Sequence, residues 1–302
     1  MKKRRLLRLT ATVIAAILVV YIGLSIYGAK KTMEIPRLPL NNSPASVGLN
    51  YENVSFKSRD DNVLLRGWYI PSSGNYVIVI VHGGFQNRVD DNVDTLALTR
   101  DLVKKGYNVL LFDLRGRGES EGKGLALSNI ELDIGGAVDY LRGRGVPSNC
   151  IFLMGFCSGA ASSCIFASQN KIGALVLDGC FIDVPTMVTR EAASFGIPEF
   201  LVTLFVPGLL SMTSIIYDYD MVNPIDVVDK VACPILFVHE ELDESIKWEE
   251  VNKLFSASSN PASEIWQISN TEHSQGFRTH PLEYIEKVDT FLSANSRATS
   301  SN

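Results

Sequence analysis

Residues 1–31 contain no aspartate or glutamate, although the 302-residue chain has 33 of them. Within that stretch Leu9–Ala29 carries no charge of either sign, which excludes an ordinary solvated surface helix. Histidine is scarce, with four in the whole chain, so a general base working near neutral pH has only four candidates. The five cysteines (Cys150, Cys157, Cys164, Cys180 and Cys233) show no C-x-x-C spacing, which argues against a zinc site. Gly83 and Gly84 are not followed by G-K-[ST], which argues against a phosphate-binding P-loop. Apart from a polar tail after Ser293, no repeat or low-complexity tract is present. Beyond residue 31 there are 21 basic against 33 acidic residues, a balance of −12, the wrong sign for a nucleic-acid binder.

What the N-terminus has is a hydrophobic run of 21 residues behind Lys2, Lys3, Arg4, Arg5 and Arg8, with Lys30 and Lys31 after it. About 20 apolar residues cross a bilayer as a helix, and the basic excess places the N-terminus in the cytoplasm. Residues 1–31 are therefore expected to be a single-pass signal anchor, with the main body extracytoplasmic. Tyr27-Gly28-Ala29 is a poor cleavage site because Tyr27 is bulky; cleavage near Gly23-Leu24-Ser25 would make the body a secreted protein. Thr32–Asn50 reads as a proline-containing linker.

From about Tyr51 the pattern is α/β. Glu52–Ser58 and Val63–Ile70 alternate like an antiparallel pair of edge strands. Tyr76–Val81, Tyr107–Asp113, Ile151–Met154, Ile172–Leu177, Pro234–Val238 and Glu264–Ile268 are apolar runs of the kind buried in parallel sheets. Asp91–Lys105, Ile130–Arg144, Trp248–Ser256 and Pro281–Ala294 read as helices between them. Such alternation implies a mostly parallel sheet with helices on both faces. Phe181–Asp229 breaks the alternation. It is helical in pattern, rich in Phe195, Phe200, Leu204, Phe205, Leu209, Leu210 and Met212, and punctuated by Pro198, Pro207 and Pro224. It reads as a helical cap over the active site, as plain packing, or as a surface touching the membrane. Its Phe200–Leu210 run is too short to span and is broken by Pro207.

Met154–Ala160 reads M-G-F-C-S-G-A. Gly155 and Gly159 flank Cys157 at minus two and plus two, after a strand and before a small-residue helix. That order makes a sharp turn with a strained central residue, and puts its side chain at a helix N-terminus that favours negative charge. Placing the nucleophile at Ser158 would put Phe156 where only glycine fits. The competing role for Cys157 is a small buried hydrophobe.

From about residue 50 to 295 these motifs resemble the α/β-hydrolase superfamily. His82-Gly83-Gly84 resembles its oxyanion loop, Asp113–Ser120 (DLRGRGES) its D-x-R-G-x-G-x-S loop, and the elbow its nucleophile turn. The cysteine is similar to that of the dienelactone hydrolase branch. The resemblance implies nucleophile Cys157, acid Asp243 and base His273, with Asp178, Glu240 and Glu241 as rival acids. His82 and His239 then shape turns, and His280 caps a helix. It further implies oxyanion donors in the backbone N–H groups of Ser158 and of Gly84 or Phe85. The expected organisation is an anchor (1–31), a linker (32–50), an α/β-hydrolase domain (51–296) with a cap at about 181–229, and a disordered tail (297–302). The expected activity is hydrolysis of a small-molecule ester, thioester or activated amide by a Cys-His-Asp triad, with no metal or organic cofactor. A ligand- or partner-binding relative without catalysis, and an acyltransferase or peptidase, are the alternatives.

Overall fold

The computed structural model describes residues 2–127, 129–194, 196–219 and 221–298. The chain forms two compact units, one of residues 35–184 and 222–302, the other of residues 1–34 and 185–221.

The larger unit is built on eight strands: β1 (Glu52–Lys57), β2 (Leu64–Ile70), β3 (Val77–Val81), β4 (Asn108–Phe112), β5 (Ile151–Phe156), β6 (Ala174–Asp178), β7 (Ile235–Glu240) and β8 (Glu264–Ile268). Their order is β1-β2-β4-β3-β5-β6-β7-β8. β2 pairs antiparallel with both β1 and β4, and every other pairing is parallel. This is the expected α/β-hydrolase fold. The strands from β3 to β7 are buried along their whole length, which is why they read as unbroken apolar runs, whereas β1 at the edge alternates. The chain leaves β3 toward β4 on one side and returns to β5 on the other. Ligands bind at such a switch point, beyond the carboxyl ends of the strands, and there the His82 loop and the Cys157 turn emerge.

Helices cover both faces. Leu96, Leu98 and Leu102 of α2 (Thr95–Lys104) share one core with Tyr284, Ile285, Val288 and Phe291 of α9 (Pro281–Ala298) and the inward residues of β3, β5 and β7. α3 (Ile130–Gly143), α4 (Ser158–Gln169) and α7 (Trp248–Ala257) lie on the other face, where Phe255 meets Phe237 edge-on. α2 begins later than the expected Asp91. The Asp90 side chain accepts from Asn92 N–H at 2.9 Å and Asp94 takes a left-handed conformation with φ 58°, so a capped turn precedes the helix. α9 continues to Ala298, through the first residues of the expected tail; residues 299–302 lie outside the described residues.

The expected linker is not loose. Arg37 donates to Gly118 O at 2.8 Å and to Ser120 O at 2.6 Å, Asn87 donates to Pro39 O at 3.0 Å, and Ile35 N donates to Gly124 O at 3.0 Å. These bonds lay the segment along the Asp113–Ser120 loop.

The smaller unit holds α1 (Lys2–Met33), most of α5 (Val184–Ser194) and α6 (Glu199–Tyr217). It takes residues 185–221 from the expected cap and leaves Phe181–Val184 and Val222–Asp229 with the sheet. Phe195 lies outside the described residues. Pro207 does not break the apolar segment: α6 runs through it from Glu199 to Tyr217. A proline costs one backbone bond, and a long apolar helix bears that loss where its neighbours supply partners.

Candidate active site

The turn after β5 explains the spacing of its glycines. A Cβ on Gly155 would stand 2.5 Å from Gly159 O and 2.6 Å from Ala160 Cα. A Cβ on Gly159 would stand 2.3 Å from Val81 O and 2.6 Å from His82 O. Any side chain at either position would drive α4 away from β3 and β5. Cys157 between them has φ 52° and ψ −116°, a backbone region that non-glycine residues occupy only when their surroundings force them to. The forcing bonds are Cys157 N–H to Asp178 O at 2.9 Å, and Ala160 and Ala161 N–H to Cys157 O at 3.1 and 3.2 Å.

All five cysteines are free thiols. Burial pushes Cys164 and Cys233 up to about 12, which leaves them inert as nucleophiles. Cys157 is partly exposed.

Asp243 and His273 arrive on two loops. His273 Nδ1–H donates to Asp243 Oδ2 at 2.6 Å. The other oxygen of Asp243 accepts from Ser245 N–H at 2.7 Å and Ile246 N–H at 2.9 Å. Burial pushes the Asp243 carboxyl up, but the His273 imidazole and the two amides outweigh it and hold the pKa below the usual carboxylate value. For His273 burial acts downward, and the Cys157 sulfur and the Asp243 carboxylate outweigh it, so the imidazole is pushed well above its ordinary value. Gly179, with φ 60°, gives the ring room; a Cβ there would stand 2.7 Å from His273 Cε1. The two loops are tied together by Glu241 N–H to Ile268 O and Leu242 N–H to Thr271 O, each at 2.9 Å, and by Asn270 N–H to the Glu241 carboxylate at 2.8 Å. Asn92 Nδ2–H holds His273 O at 3.1 Å.

The His82-Gly83-Gly84 loop packs against the elbow. A Cβ on Gly83 would lie 3.7 Å from Cys157 Cβ, and one on Gly84 would lie 2.8 Å from Ser158 Oγ. Among the described residues the backbone N–H groups of Gly84, Phe85 and Ser158 donate to no acceptor. His82 is fully enclosed, and burial pulls its pKa down to about 3. Its Nε2 accepts from Leu114 N–H at 3.1 Å, so Nδ1 carries the hydrogen and donates to Gly83 O at 2.8 Å.

Sequence reasoning missed Arg117. The match of Asp113–Ser120 to a family loop gives it no role, yet this buried guanidinium donates to Gly84 O from Nε at 3.0 Å and from Nη2 at 2.7 Å, and also to Arg115 O and Leu125 O. It clamps the loop that carries the Gly84 and Phe85 amides. The signal was the second arginine of Arg115-Gly116-Arg117-Gly118, a charge set between two glycines in a loop.

The rival acids sort by geometry. Glu241 closes the loop contact just described. Asp178 is buried and accepts from Tyr284 Oη–H at 2.6 Å. Glu240 is fully buried beside it, and neither of its oxygens meets a donor. Burial raises both carboxyls, Glu240 the more strongly because the Asp178 charge adds to it. Single donor atoms of Glu240, Asp243 and His273 lie within 4.8 Å of one another, the one grouping of metal-ligand composition among the described residues. His273 and Asp243 of that group are already hydrogen-bonded to each other. His239 is buried and sits beside Ile246 O at 3.1 Å, and His280 ends the short helix α8 (Gly276–Thr279); neither meets Cys157.

The family Hydrolase_4 (serine aminopeptidase, S33) matches residues 73–226, half of the chain, and the chain belongs to that family of α/β hydrolases. It is 28% identical over 253 residues to the protein YfhR of Escherichia coli strain K12, covering 80% of this chain and 81% of YfhR. It is 25% identical over 201 residues to the lysophosphatidylserine lipase ABHD12 of Xenopus tropicalis, covering 63% of this chain and 49% of that one. Among solved structures, the Pyrococcus furiosus esterase Pf2001 superposes with a TM-score of 0.73 at 26% identity, over 87% of this chain and 97% of that one.

Proposed function

From membership of this hydrolase family, we propose that the chain is an esterase whose nucleophile is Cys157, with His273 as general base and acid and Asp243 as the carboxylate that orients it. The observation that carries the reading is the convergence at one switch point of a partly exposed sulfur on a strained elbow and an imidazole held by a buried, hydrogen-bonded carboxylate. The Cys157 thiolate attacks the acyl carbonyl while His273 holds the proton. The developing oxyanion is met by the unpaired N–H groups of Ser158 and of Gly84 or Phe85, each donor worth about 3 kcal/mol in the transition state. His273 gives its proton to the leaving alkoxide. It then takes one from water, which attacks the thioester and returns the thiolate. A thiolate is itself a good leaving group, so activated and thioester-like acyl groups suit it better than amides. The ester and lipase activities named for Pf2001 and ABHD12 support an ester substrate.

Residues 1–31 serve in this reading as an uncleaved anchor, with the N-terminus cytoplasmic and residues 51–296 extracytoplasmic. The support is the uncharged run in α1 (mean hydropathy 2.4) and the basic excess before it.

The test is labelling of the full-length, reduced protein with a thiol-reactive acyl probe, alongside hydrolysis of an activated aryl ester. Labelling and turnover should disappear in Cys157→Ala, and turnover in His273→Ala. Turnover surviving in Cys157→Ala would remove the proposed nucleophile; a native protein that neither labels nor turns over would make it a binding relative.

A further inference from the structure

α6 and α1 form a parallel pair within the smaller unit. Tyr21 stacks on Phe205 with centroids 5.1 Å apart, and its hydroxyl donates to Leu204 O at 3.1 Å. A Cβ on Gly208 would stand 2.4 Å from Ser25 Oγ, and one on Gly28 would stand 3.0 Å from Leu209 Cδ1. Near the end Tyr217 Oη–H donates to Glu34 at 3.1 Å. The register climbs together on both helices, from Tyr21 with Phe205 to Glu34 with Tyr217. Small residues at the closest approach and a tyrosine bonded to a backbone carbonyl are how helices associate where no water drives them together.

We infer that α6 enters the same bilayer as α1, inserted from the side of the catalytic body and packed along the anchor, with its remaining face against lipid acyl chains. The inference rests on the proposed anchor role of α1. Three observations carry it. The contact begins at Tyr21, well inside the uncharged run Leu9–Ala29, so where α1 lies in hydrocarbon α6 lies beside it. Phe200–Tyr217 has no charged residue, a mean hydropathy of 1.9 and only 17% of its residues buried, so the α1 contact leaves most of its surface uncovered. Phe200, Leu204 and Ile215 are 72%, 58% and 73% exposed, a surface that water tolerates poorly. Connectivity excludes a full crossing by α6 alone. The insertion leaves from β6 and returns to β7, adjacent parallel strands of one sheet, so both ends stay on one side of the membrane. α6 is thus a one-leaflet element and a second hold on the bilayer.

The experiment uses the full-length chain in vesicles of phosphatidylethanolamine and phosphatidylglycerol, with benzoylphenylalanine placed singly at Leu204, Ile215, Val13 or Leu282. Val13 reports on the anchor, and Leu282 is an exposed residue of the sheet unit. After irradiation, phospholipid adducts are expected at Leu204 or Ile215 in yields comparable to Val13, and at background level at Leu282. Adducts at Val13 with none at either α6 position would overturn the inference and leave the anchor standing. Crosslinks from α6 to a second copy of the chain, in place of lipid, would replace the bilayer with a dimer interface. Absence of adducts at Val13 would overturn the anchor and this inference with it.

Discussion

Glu240 and Asp243 stand three residues apart at the end of β7, both withdrawn from solvent, and their pKa values move in opposite directions. Asp243 meets two backbone amides and an imidazole and stays ionised. Glu240 meets no donor, and burial with the charge of Asp178 pushes its carboxyl well above the ordinary value. Burial is common to both, so burial does not decide. The number of donors aimed at each carboxyl does, and it assigns one to the chemistry and the other to the core.

The comparison breaks most visibly if Asp243 loses its charge. In Asp243→Asn the amide oxygen can still accept from Ser245 and Ile246, so the loop keeps its shape. The His273 ring loses the anion that fixes its tautomer, and ester turnover should fall on the order of 10⁴-fold, as for the equivalent change in a serine triad; steady-state kinetics of the full-length protein would show it. Turnover within a few fold of wild type would hand the acid role to another carboxyl.

A smaller effect comes from the other site. Tyr284→Phe removes the donor to Asp178 and leaves a buried carboxylate short of a hydrogen bond, a loss of about 1–3 kcal/mol in chemical denaturation. Turnover per folded molecule should be unchanged.

The smallest effect at neutral pH sharpens the contrast by its sign. Folded Glu240 binds its proton more tightly than the ordinary carboxyl with its value of 4.5. Above that value unfolding releases the proton, so wild-type stability falls as pH rises toward the folded-state pKa, by about 1.4 kcal/mol per pH unit. Glu240→Gln has no proton to release. Its Tm advantage over wild type should therefore widen as pH is raised from about 5 to 8. An advantage that is absent, or that narrows with pH, would mean Glu240 is ionised in the folded protein.

The sequence made the sheet legible because long buried strands are apolar along their whole length, and it made the elbow legible because Gly155 and Gly159 are forced by contacts a Cβ cannot share. It ranked Asp243 above Asp178, Glu240 and Glu241 only through the family resemblance, because their states depend on donors from Tyr284, Ser245, Ile246 and Asn270, distant or unremarkable in sequence. Arg117 escaped for the same reason: its partners are carbonyls, which every residue has. The insertion was misjudged at Pro207 because a proline that breaks a water-exposed helix and one tolerated inside an apolar helix look alike in a string of letters.

The loops bearing Asp243 and His273 are stitched by Glu241, Leu242 and Asn270. A fluctuation that frees one must release the other, so amide exchange at Leu242 and Asn270 should proceed in step. The enzyme would then lack a half-assembled form in which a lone imidazole faces a lone sulfur.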